Sequence, residues 1–406
     1  MLFPSSSAME QAACRIQTIN FEFSDTIIAK IYARTQHNKK ICLVDEKVYD
    51  YVIIDVTHNK DPKGLAEEIK KECTDCKYEL FDGEIHDASA KLLKIYTQNT
   101  ESTEHIVKTA SDKGLFCYEH DVPFERKYLM EKHLRYHKNY TAHYEKKDTQ
   151  YGTDVIGTID RLEELPDSSI TINPKVLYFD IETLDDGEGI DYERNPIIMI
   201  SVICKNFRKT LVGKPLKFQG DVESFASEQE MLERFKDIIQ DQKPDMISGY
   251  NIKQFDLPYL IHRFKKYNIP FDIGSDFSEP EALRTKGRYH LNGIDLFDIY
   301  MLVKNIMRNA IHGDSFSLDS VSKELLDEKK HIVDLLALGK TWKKKNIKSE
   351  EIEPFIHYCL RDVELCINLH QYFSPDITEF KKMLNVSLNE LTLLSFSQIV
   401  EYYLMN

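Results

Sequence analysis

In Tyr178-Phe179-Asp180-Ile181-Glu182-Thr183 two carboxylates stand two residues apart at the end of an apolar run. A strand has a side-chain period of two, so Asp180 and Glu182 share one face. Acids crowded in this way repel each other and lose hydration, and one pKa rises unless a cation neutralises them. A divalent metal site is the simplest functional account, while a solvated strand end is the commoner origin of an isolated D-x-E. A second acid closes Tyr250-Asn251-Ile252-Lys253-Gln254-Phe255-Asp256, where a helix start would otherwise use Asp256 as a cap. A third lies in Tyr358-Cys359-Leu360-Arg361-Asp362, whose i to i+4 spacing brings a phenol and a carboxylate onto one helix face.

Each piece alone is weak, but their order and spacing in one α/β segment resemble the DEDD exonucleases. His357 and Asp362 also fit the H-x-x-x-x-D spacing of the histidine branch of that superfamily. On a helix Tyr358 lies roughly 40° from Asp362 and His357 roughly 140° away. Tyrosine is therefore the choice, and His357→Ala is expected to leave most activity. The resemblance implies phosphodiester hydrolysis with two Mg²⁺ (or Mn²⁺) ions about 4 Å apart, and oxygen-only ligands suit those metals. Asp180 would bridge both ions, Glu182 and Asp362 complete the first, and Asp256 hold the second, largely through water. Tyr358 and Glu182 would orient the attacking water. Thr183, Asn251 and Phe255 are candidates to hold the terminal nucleotide, since aromatic stacking tolerates any base. Phe255 could equally be core.

The elements that must carry these residues follow from periodicity. Strands are expected over 176–182, 197–204, 245–248 and near 294–297, with helices over 227–240, from Asp256 and Pro258 onward, and over 354–370. Ser227 and Glu230 form a capping box, and Met231, Leu232, Phe235, Ile238 and Ile239 share one helical face. Before this α/β part, short β-like runs dominate residues 16–55, and a helix near 65–71 follows, which reads as a small α+β domain. The stretch 152–173, rich in Asp, Thr and Ser and followed by Pro174, reads as a connector, and a domain boundary is expected near residue 150.

The length of 406 residues implies more than one core. With 42% hydrophobic residues but no run of eighteen apolar ones, a membrane helix is not expected. Residues 1–14 lack a basic-then-apolar leader, so an intracellular, cytoplasmic protein follows, nucleoid-associated if archaeal. Eight scattered cysteines then read as free thiols, and the single C-x-x-C, Cys73 and Cys76, as a surface loop rather than zinc. A net charge of −14 argues weakly against nucleic acid; the basic runs 126–147 and 340–348 are permissive of it. Two further motifs are set aside. Gly339-Lys340-Thr341 resembles a phosphate loop, but Asp334 replaces its first glycine. His133, His137 and His143 read as a basic exposed helix face rather than a zinc site.

Longer stretches resemble the N-terminal half of family B DNA polymerases, most closely the archaeal type. They are Tyr118-Glu119-His120-Asp121-Val122-Pro123-Phe124-Glu125-Arg126-Lys127-Tyr128-Leu129, Phe179-Asp180-Ile181-Glu182-Thr183, Gly249-Tyr250-Asn251 with Phe255-Asp256-Leu257-Pro258-Tyr259-Leu260, and the Tyr358 to Asp362 motif. Weaker echoes are Asp295-Leu296-Phe297, Phe316-Ser317-Leu318-Asp319 and Gln398-Ile399-Val400-Glu401. The resemblance implies three parts: an N-terminal α+β domain (1–150), a ribonuclease-H-like 3′→5′ exonuclease domain (151–372), and a helical connector towards a palm (373–406). The implied function is proofreading at the single-stranded 3′ end of a DNA primer. No D-T-D motif of a palm occurs, so synthesis would need palm, fingers and thumb from a second polypeptide or a longer product. The alternatives are a free-standing DEDD exonuclease and a non-catalytic DNA-binding scaffold; four intact acids argue against the scaffold. The relatives sense template uracil with a Pro-Tyr pair near where this chain has Asp50-Tyr51, so uracil sensing is not expected.

Overall fold

A computed structural model describes residues 9–73, 76–148, 152–166, 171–184, 187, 189–283, 288–313, 315–328 and 335–405. The N-terminal part contains β1 (Met9–Phe23), β2 (Ile27–Thr35), β3 (Lys40–Asp45), β4 (Asp50–Asp55), α1 (Pro62–Glu72), β5 (Lys77–Ile85), β6 (Ala88–Thr97), α2 (Thr100–Asp112), β7 (Cys117–Tyr118), α3 (Phe124–Glu131), β8 (Asn139–Lys146) and β9 (Val155–Leu165). Strands β1-β2-β3-β9-β8 close into a barrel, which leaves no open sheet edge, and β5-β6-β4-β7 form a separate sheet covered by α1 and α2.

Several sequence expectations change here. The stretch 152–173 is not simply a connector, because β9 completes the barrel by pairing parallel to β3 and antiparallel to β8. Its outward charges hid the strand: only Ile156 and Gly157 are buried in it. The histidines share no helix. His143 lies on β8, buried and 3.3 Å from Glu163, and His133 sits in a left-handed turn at φ 51°. The basic run 126–147 is partly interior, since Arg126 donates to the Leu384 carbonyl and Lys127 binds Asp50 at 2.9 Å. Cys73 and Cys76 are joined in a disulfide and buried against α1, so they are neither free thiols nor a surface loop; the other six cysteines are free.

The second part runs through β10 (Val176–Thr183), β11 (Ile197–Cys204), β12 (Phe207–Val212), β13 (Val222–Ser224), α4 (Glu228–Gln242), β14 (Met246–Gly249), α5 (Asp256–Lys266), β15 (Glu281–Ala282), β16 (Tyr289–His290), β17 (Asp295–Asp298), α6 (Ile299–Asn305), α7 (Leu318–Leu326), α8 (Leu335–Trp342), α9 (Glu353–Leu384), α10 (Leu388–Leu391) and α11 (Phe396–Met405). The six-stranded sheet has the order β13-β12-β11-β10-β14-β17, with β10-β11-β12 antiparallel and β14 and β17 parallel to β10. Odd residues of β10 (Leu177, Phe179, Ile181) join the core formed with α4 and α5. Even residues face α9, where the Tyr178 hydroxyl meets His370 Nδ1 at 2.6 Å.

Ser227 caps α4 by accepting from the Glu230 amide at 3.2 Å, and the five apolar residues expected on its inner face are all buried. Gly339 lies inside α8, with no loop to cradle a phosphate. Helix α9 overruns its expected end at residue 370 and continues through Pro375 to Leu384, so the expected domain limit at 372 falls within it. Proline costs an interior helix about 3 kcal/mol, but Leu365, Leu369, Phe373, Ile377 and Leu384 carry one buried stripe across it and offset that cost. No helix of the described residues is long and apolar enough to cross a membrane.

Candidate active site

The acids collect where β10 and β14 end. Asp180 and Glu182 project from the last residues of β10 towards α9. Oxygen atoms of both and the sulfur of Cys359 lie within 4.8 Å of one another. Glu182 is buried and Asp180 half-buried. The Cys359 thiol donates towards Asp180 Oδ2 at 3.7 Å, and burial together with the charges of Asp180 and Glu182 pushes its pKa well up. It therefore stays a neutral donor beside the acids.

Asp256 arrives from the other side. The residues between β14 and α5 turn sharply, with Asn251 in the left-handed region at φ 65°. Phe255 takes the cap position, which makes Asp256 the first residue of α5. Its carboxylate turns back to the sheet and accepts from the Ile181 amide at 3.2 Å. The pairing of β14 with β10 ends at Ser248 and Tyr178, so Asp256 binds β10 beyond the strand ladder, between the two acids of the D-x-E. Burial raises the Asp256 pKa to about 7; the Ile181 N–H opposes that shift, and the charges of Asp298 and Asp362 add to it. Asp362 is buried on α9, and so is Tyr358 one turn earlier, whereas His357 is exposed.

Among the described residues Asp180 and Glu182 form one close group with Cys359, while Asp256 reaches β10 through the Ile181 amide and Asp362 stands near enough for its charge to add to the Asp256 shift. Buried like charges resist joint ionisation unless a cation neutralises them. The oxygen-rich donor set fits a hard divalent ion, with one sulfur beside it that such an ion does not require.

The three residues expected to hold a nucleotide have different surroundings. Thr183 ends β10 opposite Ile197, beside the Tyr259 hydroxyl, which donates to the Asn195 carbonyl at 2.7 Å. The Asn251 amide donates to Asp298 Oδ1 at 2.9 Å, and its side-chain oxygen is buried without a hydrogen-bond partner among the described residues. Phe255 packs on the α4 and α5 core with its ring 5.6 Å from that of Tyr259, so much of its surface serves packing.

Two residues of the site escape the sequence reading. Cys359 stands three residues before Asp362, about 60° around the helix, and that spacing alone puts it on the same side. Asp298 is fully buried at the end of β17; it caps α6 and accepts from the amides of Asn251 and Lys253. A strand-ending acid before a helix is a recognisable cap signal, but nothing in the spacing links it to the 250–253 turn.

Comparison with known proteins gives consistent relatives. Residues 116–321 match the family described as DNA polymerase family B, exonuclease domain. A DNA polymerase of Pyrococcus glycovorans is 28% identical over 296 residues, covering 71% of this chain and 32% of the relative. One from Thermococcus kodakarensis is 27% identical over the same share of this chain and 15% of its own length. The chain thus spans about a third or less of these curated relatives. The family B DNA polymerase from the hyperthermophilic archaeon Pyrobaculum calidifontis superposes with a TM-score of 0.80 at 16% identity, over 97% of this chain and 50% of that one. The fold is shared across nearly the whole length, and the α/β part is ribonuclease-H-like.

Proposed function

Because the chain belongs to the family B DNA polymerases, through their exonuclease domain, we propose that it hydrolyses the 3′-terminal nucleotide of single-stranded DNA and that this reaction serves proofreading. The observation that carries the reading is the turn of Asp256 away from its own helix to the Ile181 amide, between Asp180 and Glu182. A helix that needed only a cap would have no cause to bury that carboxylate among other acids.

In this reading Asp180, Glu182, Asp256 and Asp362 hold two divalent ions, Mg²⁺ or Mn²⁺. When bound, the ions neutralise the acids and the charge that develops on the phosphate. Glu182 and the Tyr358 phenol orient the attacking water in line with the scissile bond. Cys359 supports Asp180 from behind through its S–H, and Asp256 is kept at the end of β10 by the Ile181 N–H. Thr183, Asn251 and Phe255 contact the terminal nucleotide. The same reading divides the chain into an N-terminal domain up to about residue 150, extended by β9, the hydrolytic domain to about 372, and the connector 373–406.

Proofreading is tested by giving the protein 5′-labelled primer–templates with paired or mismatched 3′ ends and Mg²⁺. Faster shortening of the mismatched primer, abolished by chelation, is the expected result. Equal rates on both ends would remove the proofreading claim, and no shortening of either would remove the hydrolytic one.

A further inference from the structure

The turn that delivers Asp256 carries a buried cation three residues earlier. Lys253 is wholly enclosed, and its ammonium donates to Asn389 Oδ1 at 2.6 Å and to Thr392 Oγ1 at 3.0 Å. Asn389 lies on α10, and Thr392 ends that helix. Burial pulls the Lys253 pKa down to about 8, while the charges of Asp298 and Asp295 oppose the shift, so the group is cationic at neutral pH. Enclosing an ammonium is costly, and an unbranched apolar side chain of similar length would fill the space without that cost. Packing alone does not account for a lysine here; a link from the turn to α10 does.

Both ends of this link are themselves fixed. At the α10 end, the amides of Leu388 and Asn389 donate to the Asp295 carboxylate of β17 at 2.8 and 2.9 Å. The Thr392 hydroxyl spends its proton on the Asn389 carbonyl at 2.9 Å, which leaves its oxygen to accept from Lys253, and Asn305 donates to the Thr392 carbonyl at 2.9 Å. Just ahead of α10, Asn385 accepts from the Tyr136 amide at 3.0 Å and donates to the Leu134 carbonyl at 2.9 Å, so the same segment is tied to the N-terminal part. At the turn end, the Gln254 and Phe255 amides donate to the Asn251 carbonyl at 3.1 and 3.0 Å, and the Leu257 amide to the Ile252 carbonyl at 2.8 Å. A turn closed by its own hydrogen bonds moves as one piece with the first residue of α5. A continuous path therefore runs from Asn389 and Thr392 through Lys253 and the turn to Asp256, and from its carboxylate to the Ile181 amide of β10.

We propose that Lys253 is a positioning residue: by fastening the 250–256 turn to α10 it sets where the Asp256 carboxylate stands against β10, so that cleavage depends on α10 being docked. The proposal rests on the hydrolytic reading above and deepens it by naming what holds Asp256 in place. Lys253 acts through Asp256 and does not touch the substrate, so its loss changes the rate of the bound complex and leaves binding of the strand as it was.

The test alters the link from each end in the full chain. Lys253→Met keeps the length of the side chain and removes its donors; Thr392→Val keeps the shape of the acceptor and removes its oxygen, whereas Thr392→Ser retains that oxygen. With Mg²⁺ and a labelled single-stranded oligodeoxynucleotide, kcat should fall on the order of 10-fold in Lys253→Met at unchanged KM, the effect of a small misplacement of a reacting group. Thr392→Val should fall in the same sense, Thr392→Ser should keep the rate, and the combined Lys253→Met and Thr392→Val variant should be no slower than Lys253→Met alone, because both changes cut one link. Hydrogen exchange measured without metal or DNA gives a second readout: the peptide bearing the Ile181 amide should exchange faster in Lys253→Met and Thr392→Val than in the unmodified chain or Thr392→Ser. A lowered thermal midpoint with unchanged kcat and unchanged exchange would reduce Lys253 to a structural role, and additive losses in the combined variant would also overturn the link. If Lys253→Met does not fold, the Thr392 pair decides. Absence of Mg²⁺-dependent cleavage by the unmodified chain would refute the hydrolytic reading instead, and the exchange at Ile181 would still decide whether Lys253 holds Asp256.

Discussion

At the residue scale the site is defined by the cost of gathering its acids. Asp256 has its pKa raised to about 7 from an ordinary value of 3.8 by burial and by the Asp298 and Asp362 charges. Between those values the folded chain binds more protons than the unfolded one, so without metal its stability falls as pH rises from about 4 to about 7. Divalent ions bound as proposed would remove that penalty. Thermal midpoints measured with a chelator should therefore decline across this range, and Mg²⁺ should raise the midpoint more at pH 7.5 than at pH 5; a flat chelated profile would contradict this. Cys359 gives a second expectation. Its sulfur lies within 4.8 Å of Asp180 and Glu182 oxygens, and thiolate ligands favour soft ions. Cd²⁺ should inhibit Mg²⁺-supported cleavage at lower concentration in the native chain than in Cys359→Ser, whereas equal inhibition would mean that the thiol is not a ligand. The D-x-E and Y-x-x-x-D spacings were legible because they repeat the periods of strand and helix. Cys359 was not, because a cysteine beside two marked residues carries no chemical pattern of its own.

At the element scale, Asp298 ties three pieces together: it caps α6 and holds the Asn251 and Lys253 amides of the turn that delivers Asp256. Loss of a cap alone costs about 1 kcal/mol. Asp298→Ala should exceed that in chemical denaturation, since two buried amides also lose their acceptor. It should also slow cleavage although the residue does not touch the water or the scissile bond. A variant destabilised only by the cap value, with full activity, would contradict this role. Strands β10 and β11 and helix α4 were readable from alternation and a capping box. The full length of α9 was not, because Pro375 is a stop signal that only the tertiary stripe from Leu365 to Leu384 overrides. Strand β9 was hidden by the exposed charges of its second half, Asp160, Arg161, Glu163 and Glu164, and the Cys73–Cys76 bond by a compartment argument that does not see local geometry.

At the scale of the whole molecule, the barrel and the six-stranded sheet are joined by buried charge. Arg34 of β2 grips Asp245, just before β14, in two contacts of 2.8 and 2.7 Å and also donates to the Lys243 carbonyl. Both partners are almost wholly buried. Removing one partner of such a pair costs about 3–5 kcal/mol, so Arg34→Ala should lower the thermal midpoint sharply. Arg34→Met combined with Asp245→Leu should recover part of the loss; a mild effect of the single change would mean that the two parts are held elsewhere. The formal charge of −14 had argued against a nucleic-acid ligand, yet Lys304 and Arg308 are exposed together at the Tyr300 and Phe316 rings. A local pair of cations does not register in a global sum.

The most direct test of the central claim is release of mononucleotides from the 3′ end of a labelled single-stranded DNA by the purified chain with Mg²⁺, compared with Asp180→Ala. A 3′→5′ ladder that vanishes with chelator and falls by on the order of 10³-fold or more in the variant is expected, since even one lost electrostatic stabiliser costs 10²–10³. An unchanged ladder in Asp180→Ala, or cleavage that persists without metal, would contradict the site.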